Sequence, residues 1–339
     1  MVLEHLFPED WLEKKIRYSF ILAFVYSSLS IVAARLLFKS NSGIVSIAFT
    51  SLLLLPYLEK LFEKEEKIEL KEKSFTLRKL FRDNRKTVKV YFSLFFGIYL
   101  AYLLFSFILP QLGIDILPIF KEQLRLEGVT GNLIFTKSLF IQIFLNNWWV
   151  LLACFLLSLM TGDGAIFFIT WNASTWGTIL GYRALAAGLA GYHDPWTNLL
   201  IIVVFTLPHL VLEGGAYILA AISGSVISDD IISKSQEIRK FLMVAAGAGI
   251  GYFFLFILIR QMFSGIFAGF LNIALMLFII HSLNMIFDDK KHKEVFVYNY
   301  YLLVIAILIF MLGALVETFV LGNIGALTKV YAASSMFAF

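Results

Sequence analysis

The chain has 339 residues, 60% of them hydrophobic and only 15% charged, with 35 Phe and a formal charge of +4. Its mean hydropathy of +0.83 lies outside the usual range of soluble globular domains and predicts an integral membrane protein. The small net charge, localised in connections, argues against a nucleic-acid partner, and a single cysteine, Cys154, within an apolar run excludes an internal disulfide or a cysteine-based zinc site.

Residues 1–17 are amphiphilic and charged (EDWLEKKIR), unlike the opening of a cleaved signal peptide, so insertion is expected through the chain's own spans. Residues 18–38 are long enough to cross roughly 30 Å of hydrocarbon, at about 20 residues per helix, and carry only Arg35 near one end. Residues 43–58 are uncharged but short and end near Pro56, which suits a tilted or partly buried second span or a re-entrant piece. Together 1–58 form an expected N-terminal membrane hairpin.

Residues 59–89 hold eleven Lys and Arg, against two (Lys121 and Arg125) in 110–132. The excess places this charged loop, and with it the N-terminus, on the cytoplasmic side. The loop reads either as a solvated helical hairpin of mixed charge or as a regulatory or partner-docking segment. Residues 90–132 give a third span, 90–109, and an external connection. A core region at 133–227 follows, with spans at 138–160 and 165–182 and a long sixth region, 196–228, interrupted by Pro208, His209 and Glu213. Apolar runs at 241–259, 262–287 and 295–316 make up the C-terminal membrane part, 228–339. The charged connections 229–240 and 288–294 fall on the cytoplasmic side by span count. The expected fold is an all-α polytopic helical bundle of eight or nine membrane segments, some broken or re-entrant, in the cell membrane.

Gly-x-x-x-Gly recurs at Gly177/Gly181, Gly247/Gly251 and Gly265/Gly269. Small residues a turn apart let helix backbones approach closely in lipid, so these positions mark packed helix faces, within one chain or between two.

Polar groups at bilayer depth cost on the order of a few kcal/mol unless they are paired or face a cavity. Asn146, Asn147, Asp163, Asn172, His209 and Glu213 all fall between residues 146 and 213, whereas the first three spans are nearly free of such groups. His209 and Glu213, in PHLVLEGG, are spaced i and i+4, about 40° apart on a helix of 3.6 residues per turn, so both project from one face. Pro208 removes a backbone donor, and Gly214 with Gly215 permits close approach of a neighbour.

Three readings of this pair stay open. It could form a buried polar network with Asn146, Asn147 or Asn172, a substrate or proton pathway, or two of the ligands of a metal site that would need a third such as Asp163; the HExxH arrangement is absent. Asp163, in TGDGA, also suits a tight turn or a helix cap. Arg183, Arg260 and Glu317 fall at predicted span ends, where snorkelling accounts for them. No complete catalytic constellation, cofactor motif or metal-ligand set is legible.

The Asn-Asn pair opening a hydrophobic segment, the Gly-x-Gly-Ala turn, WNAS (171–174) before a Gly-rich helix and PHLVLEGGAYILAAISG (208–224) resemble the stage II sporulation protein M family of membrane proteins, particularly its longer archaeal members, over about 133–227. The resemblance implies an all-helical membrane domain whose signature positions are Asn146, Asn147, Asn172, Pro208, His209 and Glu213. Leu210 stands where the family pattern has Gly. Members in spore-forming bacteria act beside other membrane proteins and a cell-wall hydrolase. The resemblance therefore implies a non-enzymatic subunit or scaffold of a membrane complex, with other membrane proteins or a second copy of the chain as partners within the bilayer. The clustered polar groups suggest a permease for a small solute or lipid as the alternative, and an intramembrane metal-dependent hydrolase using Glu213 and His209 as a third reading.

Overall fold

The computed structural model describes residues 16–69, 82, 84–124, 137–162, 165–232, 238–263, 265–286 and 290–335. Among them every regular element is an α-helix or a short 3-10 turn, so the chain is an all-α membrane bundle. The helices are α1 (Ile16–Leu37), α2 (Ser42–Glu69), α3 (Arg85–Ile108), α4 (Leu117–Leu124), α5 (Lys137–Thr161), α6 (Ala165–Leu189), α7 (Pro195–Ile232), α8 (Ile238–Met262), α9 (Gly265–Ser282), α10 (Lys290–Asn323) and α11 (Gly325–Ser334).

Six of the apolar stretches are long and apolar enough to cross a membrane: Ile16–Leu37, Arg85–Leu112, Leu139–Thr161, Pro195–Ser228, Phe267–Met285 and Lys293–Asn323. Ser42–Leu58 and Gly247–Met262 are apolar but shorter. Six of the expected eight or nine segments thus meet both criteria among the described residues, and the two shorter ones are the pieces expected to be tilted or partly buried, α2, and the start of the C-terminal part, α8. The fifth expected span, α6, is long enough, but its apolar run is diluted by Asn172, Ser174, Thr178 and Arg183, all buried.

The broken segments expected around proline are not observed. α2 runs unbroken past Pro56, and α7 runs 38 residues through Pro208. At about 1.5 Å per residue α7 is roughly 57 Å long, so it spans the hydrocarbon with turns to spare. Proline deletes one hydrogen bond from such a helix, and packing along the flanking turns keeps the axis continuous.

α7 is the central element. It makes the most extensive pairing with α10 and packs next on α5 and α6, while α3 joins α6 to α1, and α2 rests on α1. Glycines set three of these crossings. A Cβ on Gly177 would lie 2.9 Å from the Leu103 nitrogen of α3, and one on Gly181 would lie 2.5 Å from the Leu103 carbonyl oxygen. Gly224 of α7 sits against α5, 2.9 Å from the Leu159 nitrogen, and Gly97 of α3 against the Ala23 Cβ of α1 at 2.9 Å. Gly247 and Gly251 differ, since among the described residues a Cβ on either meets nothing within 4 Å, and one on Gly269 would meet a Phe144 ring atom at 3.7 Å. The side-chain environment of Gly265 lies outside the described residues, as does Asp163.

Connections are pinned by polar contacts. Ser42 donates to the Pro118 carbonyl at 2.6 Å and Gln123 to the Gly43 carbonyl at 3.3 Å, tying α4 to the start of α2. Asp194 caps α7, its carboxylate accepting the Trp196 and Thr197 amides at 3.0 and 3.1 Å and the Thr197 hydroxyl. The Thr197 hydroxyl, followed by its amide, holds this exposed carboxyl below the usual carboxylate range.

Arg183 departs from the snorkelling expected of it. It is 5% exposed, donates to the Ser334 hydroxyl at 2.9 Å and the Tyr331 carbonyl at 3.3 Å, and lies 4.1 Å above the Tyr331 ring. It clamps α11 onto α6.

The two kinds of glycine respond differently to a side chain. Gly177→Leu is expected to force α3 and α6 apart and lower stability by about 1–3 kcal/mol. Gly247→Leu meets open space and replaces a poor helix former, so it stays within about 0.5 kcal/mol of the parent. Thermal melts of both variants in one detergent check the contrast.

Candidate functional site

The polar residues of the core converge only in part. Glu213 lies midway along α7 and is 1% exposed. Gly214 and Gly215 next to it leave room for the Phe95 and Phe92 rings of α3, whose nearest atoms would stand 3.3 and 2.9 Å from an added Cβ. Across the groove α10 presents Gly313, where a Cβ would fall 2.8 Å from the Glu213 Cγ. The missing side chain on α10 is therefore what admits the glutamate, and the α3 rings fill the adjoining space on α7.

One turn beyond Gly313 on the same helix stands Glu317. Its carboxyl and that of Glu213 are close enough to act on one another, and the Asn147 side chain from α5 acts on both. The Asn147 amide donates to Glu317 Oε2 at 3.5 Å, and Asn146 donates to Asn147 Oδ1 at 3.3 Å. Tyr217, one turn beyond Glu213, brings a buried hydroxyl to the same place. The site thus draws two carboxyls, the Asn147 amide and a phenol from α5, α7 and α10, while Asn146 is exposed and reaches it only through Asn147.

The chemistry of this group follows from what it lacks. Neither Glu213 oxygen forms a well-directed hydrogen bond, nor does the Tyr217 hydroxyl. No Lys or Arg is among the groups acting on either carboxyl. A buried polar group left unsatisfied costs about 1–3 kcal/mol, and two facing carboxylates repel strongly where water is excluded. The pair is compatible with burial only when a proton or a cation lies between its members, so the arrangement can hold and exchange one.

His209 and Asn172 stand apart from that exchange. His209 is 1% exposed and packs its ring 5.2 Å from the Trp176 ring of α6, with Nδ1 unpartnered. Asn172, one turn before Trp176, donates to the Phe168 carbonyl of its own helix at 2.8 Å. Neither is hydrogen-bonded to the carboxyl pair, although i,i+4 spacing puts His209 on the Glu213 face of α7. Among the described residues no three His, Cys, Asp or Glu side chains gather in a metal-binding group.

Glu317 is the functional candidate that sequence reasoning placed elsewhere. Ending the last span at 316 put it at an interface, whereas α10 runs on to Asn323 and the residue is half-buried opposite Glu213. Two signals point to this position: the apolar run TFVLG (318–322) beyond it, and the Gly313/Glu317 spacing of four that repeats the His209/Glu213 interval.

The model of one protein family, stage II sporulation protein M, matches residues 91–259. The matched stretch begins in α3, runs through α5, α6 and α7 and ends in α8, so it includes Asn147, His209 and Glu213 and leaves Glu317 outside. It also reaches further on both sides than the motifs at 133–227. No curated protein and no solved structure matches the chain. By this match, carried by about half of its length, the chain belongs to the stage II sporulation protein M family.

Proposed function

We propose that the protein is a non-enzymatic subunit of a membrane complex in the cell membrane, and that α8 is the surface it offers to another membrane-spanning helix. The observation that supports this is the contrast among glycines. Gly97, Gly177, Gly181 and Gly224 are each closed by another helix of the chain, while Gly247, Gly249 and Gly251 of α8 have nothing within 4 Å among the described residues. A glycine-rich face in lipid gains stability when a second helix packs on it, because dispersion contacts and backbone approach replace the hydrophobic drive. α8 itself packs mainly on α9 and the 3-10 turn after it, which leaves that face open.

The expected outcome is that Gly247→Leu and Gly251→Leu together abolish co-purification of membrane partners, or of a second tagged copy, while the isolated protein melts as before. Unchanged co-purification by the double variant overturns the assignment of α8.

The proposed orientation places the N-terminus and residues 59–89 in the cytoplasm, from the Lys and Arg excess of that stretch. A cysteine introduced at Lys64 is expected to react with an impermeant maleimide only after the membrane is opened. The native Cys154 is buried and adds little background.

A second reading, permeation of a small solute driven by proton or cation exchange, is favoured by the Glu213–Glu317 pair. A pair that only holds helices together tolerates Glu213→Gln, because an amide still donates and accepts. A pair that exchanges a proton does not. With a complementation assay run beside a thermal melt, the exchange role gives a folded Gln variant whose activity is lost. Full complementation leaves the carboxyl a structural group, and Glu213→Ala is then the damaging change.

A further inference from the structure

We infer that the seam between α5, α8 and α9 binds an anionic amphiphile, its charged head held by Arg260 and its hydrocarbon laid along α5. The seam opens into a cavity of about 180 Å³ whose lining includes Trp148, Phe256, Arg260, Gly269, Asn272 and Ile273. A second cleft continues from it along α5 and α9, sharing Ile141, Phe144, Leu145 and Gly269 and adding Phe140 and Met311. One end is therefore polar and cationic, and the other is wholly apolar.

Three observations select the ligand class. First, Arg260 is turned over the seam, not away from it. Its guanidinium lies 5.9 Å from the centroid of the Phe256 ring, which is itself buried and packed 5.0 Å from Trp149 of α5. A snorkelling arginine would extend its head into the headgroup layer. Among the described residues no acidic side chain forms an ion pair with it, since the one pair recorded there joins Lys290 to Glu294.

Second, Asn272 is 4% exposed. Its Nδ2 donates to the Ala268 carbonyl at 2.7 Å, while its Oδ1 has no partner and belongs to the cavity lining. A buried acceptor without a donor marks a place where a ligand hydroxyl or amide completes the hydrogen bonding. Third, the cavity is smaller than the roughly 300 Å³ at which pockets begin to enclose a whole small molecule. It takes part of a ligand whose remainder stays in the bilayer. A cation, an unpaired acceptor and an apolar furrow in sequence match an anionic phospholipid with a hydroxylated head, whereas a choline head has no donor for Asn272 and finds no acidic side chain among the described lining residues.

The site is distinct from the Glu213–Glu317 pair and independent of the proposed role of α8, so it can be tested alone. The purified full chain in maltoside detergent is titrated with short-chain phosphatidylglycerol and, separately, with phosphatidylcholine, reading thermal stabilisation. Phosphatidylglycerol is expected to bind the parent protein more tightly than phosphatidylcholine. Arg260→Gln should weaken it about tenfold, the usual weight of one charge-assisted contact, and remove the preference, whereas Arg260→Lys keeps a preference for the anionic lipid. Gly269→Leu, whose new side chain points at Phe144 with space around it, fills the furrow and weakens both lipids. Equal affinity for the two lipids in the parent, or unchanged phosphatidylglycerol binding by Arg260→Gln, overturns the proposal. Should Gly269→Leu fail to fold, the Arg260 variants decide, since their exposed side chain leaves the fold intact.

Discussion

A carboxyl group buried at the middle of α7 constrains the rest of the bundle. A lone ionised carboxylate in hydrocarbon is prohibitively costly, so the helices around it must either neutralise it or hide it. α10 provides a second carboxyl and a glycine gap, α5 provides Asn147, and α3 covers the back of α7 with Phe92 and Phe95. The pairings that bring these groups together, α7 with α10 and with α5, are among the most extensive in the molecule. Stability and chemistry thus depend on the same crossing. A helix that carries an unpaired acid only holds its place while its neighbours stay close enough to share a proton or a cation with it.

The family match makes this dependence sharper. Asn147 and Glu213 lie inside the matched residues 91–259, and Glu317 lies beyond them. The half of the chain that defines the family therefore leaves its central acid without the second carboxyl, and the C-terminal helix α10 completes the site. Glu213 with Asn147 alone would be a single acid beside a neutral amide. The addition of Glu317 sets two buried carboxyls against each other, and a shared proton or cation would relieve their repulsion. α10 is in this respect part of the packed core that surrounds Glu213 and more than an appended span.

How much of this was legible in the sequence follows from the range of each interaction. Helix existence is a local property of apolar runs, and the spans read from hydropathy coincide with the helices to within a few residues for α1, α3, α5, α8 and α9. Failures occur where a long-range contact overrides a local signal. Pro208 reads locally as a break, but the helix runs on through it, packed along its length on α10, α5 and α6. Arg183 reads locally as a span-end cation, but α11, far away in sequence, supplies a ring and a hydroxyl that bury it. Gly97 and Gly224 belong to no Gly-x-x-x-Gly pair, and only their opposing helices reveal them as crossings. Of the candidate site, Glu213 and the Asn pair were readable as costly groups in an apolar run. Their partner was not, because nothing in α7 or α5 names the helix that faces them.

The peripheral pair α8 and α9 shows the same physics with the opposite outcome. In the centre, glycine lets one helix sink against another and the contact closes completely, as at Gly177 and Gly224. At the edge, α9 carries Asn272, whose bond back to its own helix leaves the oxygen unmet, and Gly269, where an added Cβ would stand 3.7 Å from the Phe144 ring. α8 leans on α9 and touches α5 through the Phe256–Trp149 ring contact. Too little of α8 is buried to draw it into the core, so its glycine face remains open on one side and the seam with α5 and α9 remains open on the other. Both openings have one cause. A helix pair that the bundle does not enclose keeps surface for something from outside it, the proposed neighbouring helix on one face and the proposed amphiphile on the other.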